Sequence, residues 1–401
     1  MITTAIIAKR VVQYELFRGF PEDIIELVVA QSSVRELKAG EVLIESGAPN
    51  RSLFLVLEGE LRVIVEKAST QVSITVPPGE CLGEMSLIEE RPTSAKAVCH
   101  SDSRVLVINE DVFWTHLAIS RQGVKNLMRI MAERLHRNNQ ALMKEIAEQL
   151  KYKQLEKDIQ TAASIQANIV PDGAHLFPQR PEIEVYAHTQ QARAVGGDFY
   201  DALALDQDRI YFAIGDATGK GMPAALFMMR TFTSLRFLVS NCPDFSEVLP
   251  ELNKMLFRKN DDMMFVSLWA GILDLRTREL QYVNAGHHPP FAALKGSSFK
   301  SLAVPNGPIA GVVEEADFEV ATVKLEPGDT IFLYTDGLPE AYNLEHVAFE
   351  IERIESSLNS LQQATAQSIV RDMEAQVANF VNGAPTHDDL TMLAFRYLGE
   401  G

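Results

Sequence analysis

Cysteine is scarce in this chain: Cys81, Cys99 and Cys242 are the three thiols among 401 residues. Their odd number and the lack of any C-x-x-C pair argue against a disulfide framework and suit a reducing compartment, with the three read as core thiols. Long apolar runs are missing too. No stretch approaches the roughly 18 residues of a membrane span, and the apolar start from Met1 to Arg10 is too short for a secretory leader, with its charges on the wrong side. A cytoplasmic protein with no membrane partner is expected. Basic residues are in deficit, 37 Lys and Arg against 54 Asp and Glu, for a formal charge of −17. A broad phosphate-neutralising surface is therefore not expected, nor is a nucleic-acid partner. Glycine and proline are absent from Val124 to Ile169, where Ala, Leu, Glu, Gln, Lys and Arg dominate. That composition predicts one long helix, ended by Pro171.

What is present is ordinary globular material, 46% hydrophobic and 23% charged, in a chain long enough for two or three separately cored domains. From about Val34 to Ile108, short apolar runs alternate with turns: Glu41 to Ile44, Ser52 to Leu57, Glu60 to Val65, Val72 to Val76, Ala95 to Cys99 and Arg104 to Ile108. Regular spacing of this kind predicts an all-β roll. Gly40, Gly47, Gly59 and Gly79 punctuate it where left-handed backbone is wanted. Helical patterns flank it at Pro21 to Ala30 and Val112 to Ile119. The expected division is a sensor domain over 1–120, a helical linker over 121–171 and a second globular domain over 172–401.

In the linker, Leu155, Ile159, Ala162, Gln166 and Ile169 follow 4-3-4-3 spacing, and Leu135, Leu142 and Ile146 form a weaker seam. Leu142 and Leu155 are one residue short of two heptads apart, so the seams are out of phase near Leu150 to Leu155. Two readings stand: a parallel coiled coil that makes a homodimer, or a helix packed on one of the domains.

After Glu182, strand-like runs at Val185 to Thr189, Arg209 to Ile214, Phe265 to Leu273, Leu280 to Asn284, Thr330 to Tyr334 and Leu390 to Phe395 mix with helical ones at Pro223 to Val239, Phe245 to Lys259 and Leu361 to Asn382. This predicts a layered α+β domain. Two of its strands deliver a carboxylate to the rim in the same way, Ile210 to Gly215 into Asp216 and Ile331 to Thr335 into Asp336. Asp198 and Asp201 follow a Gly-Gly pair, and Asp388 and Asp389 precede the last strand. One Asp-Gly turn is commonplace. Four such sites in one domain point instead to clustered carboxylates, which repel unless cations compensate them and whose oxygens suit Mg²⁺ or Mn²⁺. Two metal ions side by side can clamp the oxygens of an in-line phosphoryl transfer. The run Gly215 to Gly221 lacks the Gly-Lys-Ser/Thr close of a nucleotide loop, which argues against a nucleoside triphosphatase.

The segments Ala194 to Asp201, Gly215 to Ala225, Asn284-Ala285-Gly286-His287, Tyr334 to Gly337 and Asp388-Asp389-Leu390-Thr391, in this order, resemble the successive motifs of SpoIIE/RsbU-type phosphatases, the bacterial branch of the metal-dependent PPM protein phosphatases. The resemblance covers roughly Glu182 to Tyr397, and Ser164 to Pro171 resembles that family's helical lead-in. It implies an αββα sandwich with two Mn²⁺ or Mg²⁺ ions at its edge. By motif match Asp216 would bridge both ions, the Ala217 carbonyl would bind one, Asp336 and Asp388 would hold the other, and Asp198 would act through metal-bound water. Asp388 and Asp389 are interchangeable at this level. His287 is a candidate general acid or a turn residue, and Arg193 a candidate phosphate contact or a surface residue. The substrates implied are phosphoserine or phosphothreonine on small anti-sigma-factor antagonists of STAS fold, in partner-switching signalling.

In the first half, Gly47, Leu53 to Gly59, Pro78-Gly79-Glu80 and Gly83 to Ile88 resemble a cyclic-nucleotide-binding domain, over roughly Val12 to Ser120. The resemblance implies a nucleotide pocket in which Glu84 takes a ribose hydroxyl, with Gly83, Met85, Ser86, Thr93 and Ser94 as further contacts. The family pairs the cyclic phosphate with an Arg after Pro92. Thr93 stands there, and the lost charge partner makes cyclic AMP a poor ligand unless Arg91 or Lys96 compensates. The rival readings are a silent-phosphatase scaffold that responds to a cyclic nucleotide, and a transcription regulator. The second would need a basic helix-turn-helix after the long helix, where the acidic α+β domain stands.

Overall fold

The computed structural model describes residues 4–67, 70–305, 307–361 and 364–399. The chain divides into two compact units, Met1–Leu150 and Lys151–Gly401. Among the described residues no helix is long and apolar enough to cross a membrane.

The first unit starts with α1 (Thr4–Val11) and α2 (Glu22–Ala30). Strands β1 (Ser33–Leu37), β2 (Val42–Ile44), β3 (Ser52–Glu58), β4 (Leu61–Lys67), β5 (Thr70–Val76) and β6 (Cys81–Leu82) follow, then the short helix α3 (Glu84–Glu89), β7 (Lys96–Cys99) and β8 (Ser103–Asn109). They form two four-stranded antiparallel sheets, β1-β8-β3-β6 and β2-β7-β4-β5. The sequence reading lacked β1 and β6. Leu53, Leu55 and Leu57 on β3 face a core shared with α1 and α2, while Phe54 and Val56 face the interior between the sheets. That alternation lets one strand serve two cores. Gly59 has φ +80°, and a Cβ there would stand 2.3 Å from the Ser103 hydroxyl, so the β3–β4 turn admits only glycine. Cys81 and Cys99 are buried free thiols, and burial pushes the Cys81 thiol up to about 12.

A helical turn, α4 (Glu110–Val112), runs through a π-helical stretch, Phe113–Ala118, towards α5 (Arg121–Ile169). The first turns of α5 belong to the core of the first unit: Leu127 packs there, and buried Asn126 donates to the Leu16 and Arg18 carbonyls at 3.1 and 2.8 Å. Its last turns belong to the second unit, where Ile169 packs on a core cluster and Gln166 is 1% exposed. These two positions of the sequence seam are therefore spent within the chain. Leu135, Leu142, Leu150 and Leu155 between them are each more than half exposed.

The second unit is an αββα sandwich. One sheet has the order β10-β11-β12-β13-β16, from β10 (Asp198–Ala204), β11 (Arg209–Ala217), β12 (Val266–Asp274), β13 (Glu279–Ala285) and β16 (Ala321–Lys324). The other is β15-β14-β17-β18-β9, from β9 (Ile183–Gln190), β14 (Phe291–Ala293), β15 (Lys300–Ser301), β17 (Thr330–Tyr334) and β18 (Leu390–Tyr397). Helices α6 (Met222–Asn241) and α7 (Val248–Phe257) cover the first sheet. Helices α8 (Ile351–Ser360) and α9 (Ala366–Val381) cover the second. Between the sheets Phe212 stacks on Phe395 with ring centroids 4.7 Å apart, and each such buried side chain contributes about 1.5–3 kcal/mol. The sequence reading began the last helix at Leu361. The Thr365 hydroxyl instead caps α9 by accepting the Ser368 N–H at 3.1 Å, and α8 precedes it as a separate helix.

Candidate active site

Asp198 and Asp216 stand directly opposite each other in the antiparallel register of β10 and β11, a position in which like charges repel. The apolar run Ile210 to Ile214 anchors β11 in the core, and the strand continues through Asp216 to Ala217. Asp336 follows β17, and Asp388 and Asp389 precede β18, its neighbour. Both sheets thus send carboxylates to one edge. Burial first, and then the Asp216 charge, hold the Asp198 carboxyl well above the usual range, while hydrogen bonds from threonine hydroxyls act the other way. The Thr335 hydroxyl donates to Asp198 Oδ2 at 2.6 Å. Asp216 is raised to about 7, by burial and then by Asp336, against a hydrogen bond with Asp198. Asp336 is raised by burial and then by Asp388. Each of the four therefore shares its surroundings with at least one other.

Asp388 and Asp389 differ in what they touch. Asp389 is buried, and its two oxygens accept the N–H groups of Ala192 and Gly197, each at 2.8 Å. It fixes the loop that leads into Asp198. Asp388 is half-buried, 2.8 Å from the Lys220 ammonium. The close approach of these loops explains two glycines: a Cβ on Gly337 would stand 1.9 Å from the Asp389 carbonyl oxygen, and one on Gly196 2.1 Å from Asp389 Oδ2. Asp388→Ala is therefore expected to keep the melting temperature and lose activity. Asp389→Ala should destabilise the fold itself, since the orphaned buried Gly197 N–H alone costs about 1–3 kcal/mol. Calorimetry on the two variants checks this, and equal melting temperatures would contradict it.

His287 is buried, with Nδ1 2.7 Å from the Ser267 hydroxyl and Nε2 3.1 Å from the Tyr334 carbonyl. Burial pulls it down to about 3, so the ring is neutral, with Nε2–H donating and Nδ1 accepting. Both ring nitrogens are thus hydrogen-bonded within the domain, Nδ1 to β12 and Nε2 to the end of β17 just before Asp336. Arg193 is exposed, with its guanidinium beside the Gly221 turn. Asp201 points away from the carboxylate cluster into a bidentate pair with Arg236, at 2.6 and 2.7 Å. Three participants escaped the sequence reading. Thr335 and Lys220 touch Asp198 and Asp388, and their contacts cross the sandwich. Gln166, near the end of α5, donates to the Gly196 carbonyl at 2.7 Å and accepts its N–H at 3.3 Å, which ties that helix to the loop before Asp198.

Among the described residues no three His, Cys, Asp or Glu side chains are gathered tightly enough to hold an ion as they stand. The donor set nonetheless fits a hard divalent cation: oxygen donors only, carboxylates on one edge that raise one another. Beside Asp388 lies a cavity of about 300 Å³, bordered by Gln190, Glu340, Tyr342 and His387.

The family model for Stage II sporulation protein E (SpoIIE) matches residues 206–398, and that for the cyclic nucleotide-binding domain matches residues 34–120. These stretches belong to those families: the chain carries a SpoIIE-type PPM phosphatase domain behind a cyclic nucleotide-binding domain. Protein IcfG of Synechocystis sp. is 28% identical over 264 residues, which cover 59% of this chain and 41% of IcfG. The phosphoserine phosphatase RsbU of Bacillus subtilis is 26% identical over 248 residues, which cover 61% of this chain and 71% of RsbU. The chain thus spans less than half the length of the first of these relatives. The SiaA-PP2C domain of Pseudomonas aeruginosa shares the sandwich fold, with a TM-score of 0.53 at 24% identity over 61% of this chain and 98% of that domain.

Proposed function

We propose that the chain is a metal-dependent protein serine/threonine phosphatase of bacterial partner-switching signalling, and that it removes phosphate from a phosphoserine or phosphothreonine on a small STAS-domain antagonist protein. The observation that carries this reading is the carboxylate edge. Asp198, Asp216, Asp336 and Asp388 come from both sheets, and the charge they concentrate needs divalent cations beside it. Asp216, the Ala217 carbonyl, Asp336 and Asp388 would hold two Mn²⁺ or Mg²⁺ ions, with Asp198 acting through water. When bound, they supply an activated water and neutralise the phosphoryl oxygens. The chain's own residues do the rest. Thr335 orients Asp198, Asp389 fixes the loop that presents it, and exposed Arg193 offers a guanidinium to the substrate phosphate.

Residues 1–120 act in this reading as the regulatory input, 121–171 as the linker and 172–401 as the catalytic domain, in a cytoplasmic homodimer. Exposed Leu135 and Leu142, one heptad apart on α5, support a second helix as the partner of that face, with Leu150 and Leu155 exposed further along. The direct test is phosphate release from a phosphoserine-bearing STAS-domain protein with Mn²⁺ present. Release that stops in the Asp336→Ala variant is expected. Turnover of p-nitrophenyl phosphate with none of the phosphoprotein would overturn the substrate class and leave the chemistry standing.

A further inference from the structure

The first unit holds a cavity of about 300 Å³, at the low end of the size of small-molecule sites. Its walls are mainly apolar, with Ile44, Val63, Val76, Leu82 and Ala97 among them. Glu84 also lines it and is 2% exposed. One Glu84 oxygen pairs with Arg134 from α5, which also donates to the Cys81 carbonyl at 2.8 Å. The other oxygen, Oε2, is buried with no hydrogen-bond partner. A buried carboxylate oxygen without a donor is costly and calls for an explanation. An occupant of the cavity that brings an N–H or O–H supplies one.

The charges around the cavity decide what kind of occupant fits. Where the family resemblance places a phosphate-pairing Arg, the Thr93 hydroxyl donates to the carbonyls of Glu45 and Ala48. It is spent on closing its own loop. Lys96 lies 3.4 Å from Glu45, and neither it nor Arg91 is among the lining residues. The two cations that do line the cavity are both taken, Arg134 by Glu84 and Arg137 by Glu80 at 2.7 Å. An entering anion would meet two ion pairs with no net charge: taking Arg134 would leave the buried Glu84 carboxylate unpaired, and the Arg137 side chain is 56% exposed, so solvent screens its charge.

We propose that this cavity binds an uncharged, mainly apolar small molecule that donates one hydrogen bond to Glu84 Oε2, and that it rejects cyclic phosphates. Because the same carboxylate holds Arg134, occupancy is coupled to the grip of the α3 segment on the first half of α5.

A matched pair of fluorescent probes tests this on the full chain. N-phenyl-1-naphthylamine is neutral and apolar with one N–H, and 8-anilino-1-naphthalenesulfonate is the same ring system carrying a sulfonate. The neutral amine is expected to bind saturably, one per chain and at least tenfold tighter than the sulfonate. Ala97→Trp, which fills the cavity, should abolish that signal, and the milder Glu84→Gln should weaken it severalfold, with both variants checked for folding by circular dichroism. Millimolar cyclic AMP should leave it unchanged. The proposal is overturned by tighter binding of the sulfonate, by displacement of the amine with micromolar cyclic AMP, by the absence of saturable binding, or by a signal that Glu84→Gln leaves unaltered.

Discussion

Replacing Asp336 with Ala is expected to lower phosphatase turnover by on the order of 10³-fold or more, since the several kcal/mol of charge stabilisation a metal supplies convert to about that factor. The same substitution should make the metal-free protein more stable, because Asp336 is the largest charge acting against Asp216. A pH scan separates this from simple damage. Asp216 titrates at about 7 in the folded chain against 3.8 ordinarily. Between those values the folded state keeps a proton that the unfolded state has lost, so the stability of the metal-free protein falls as pH rises through this window and levels off above it. Calorimetry in EDTA should thus give a lower melting temperature at pH 8 than at pH 6. The difference should shrink in Asp336→Ala and with saturating Mn²⁺. An inactive variant that melts lower than the parent protein at both pH values would mean that Asp336 supports the fold and not a metal.

The second large effect is expected from the helix. Inserting seven residues near Leu150 should preserve regulation, whereas inserting three or four should fix activity high or low. A heptad restores the phase of the exposed face, and shorter insertions rotate one end of the helix against the other. Rotation matters because Gln166 hydrogen-bonds both backbone groups of Gly196, and Asp389 holds the next residue, Gly197. Turning the end of α5 therefore pulls on the loop that presents Asp198. In a dimer paired through the exposed leucines of α5, the phase break near Leu150 to Leu155 would allow two windings, and a ligand in the first unit that favoured one of them would shift the population. Activity assays on the insertion series, with light scattering for the oligomeric state, check this. Unchanged activity across the series, or a monomer at micromolar concentration, would reduce the helix to a tether.

The sites that were legible in the sequence were those where an apolar run ends in a carboxylate. Asp216 and Asp336 stood out because Ile210 to Ile214 and Ile331 to Tyr334 are buried on both faces and read as uninterrupted strands. Strand β10 did not stand out. Asp201 interrupts its apolar pattern, and its pairing with Arg236, 35 residues away, is the main contact that makes that buried carboxylate tolerable. Helix α8 was hidden for a different reason: Ile354 and Leu358 are its two large buried side chains, too few to mark a period against Ser, Asn and Glu. The choice between Asp388 and Asp389 turns on backbone donors at Ala192 and Gly197, and the partner of Glu84 on a helix 50 residues further on. Contacts of that range leave no trace in local periodicity.

On the function proposed above, this acidic edge does chemistry only with divalent cations bound. That requirement is tested most directly by p-nitrophenyl phosphate hydrolysis on one preparation, first stripped with EDTA and then titrated with Mn²⁺. Turnover that is absent in EDTA, returns with Mn²⁺ and stays absent in Asp336→Ala is the predicted result. Full turnover in EDTA would contradict it.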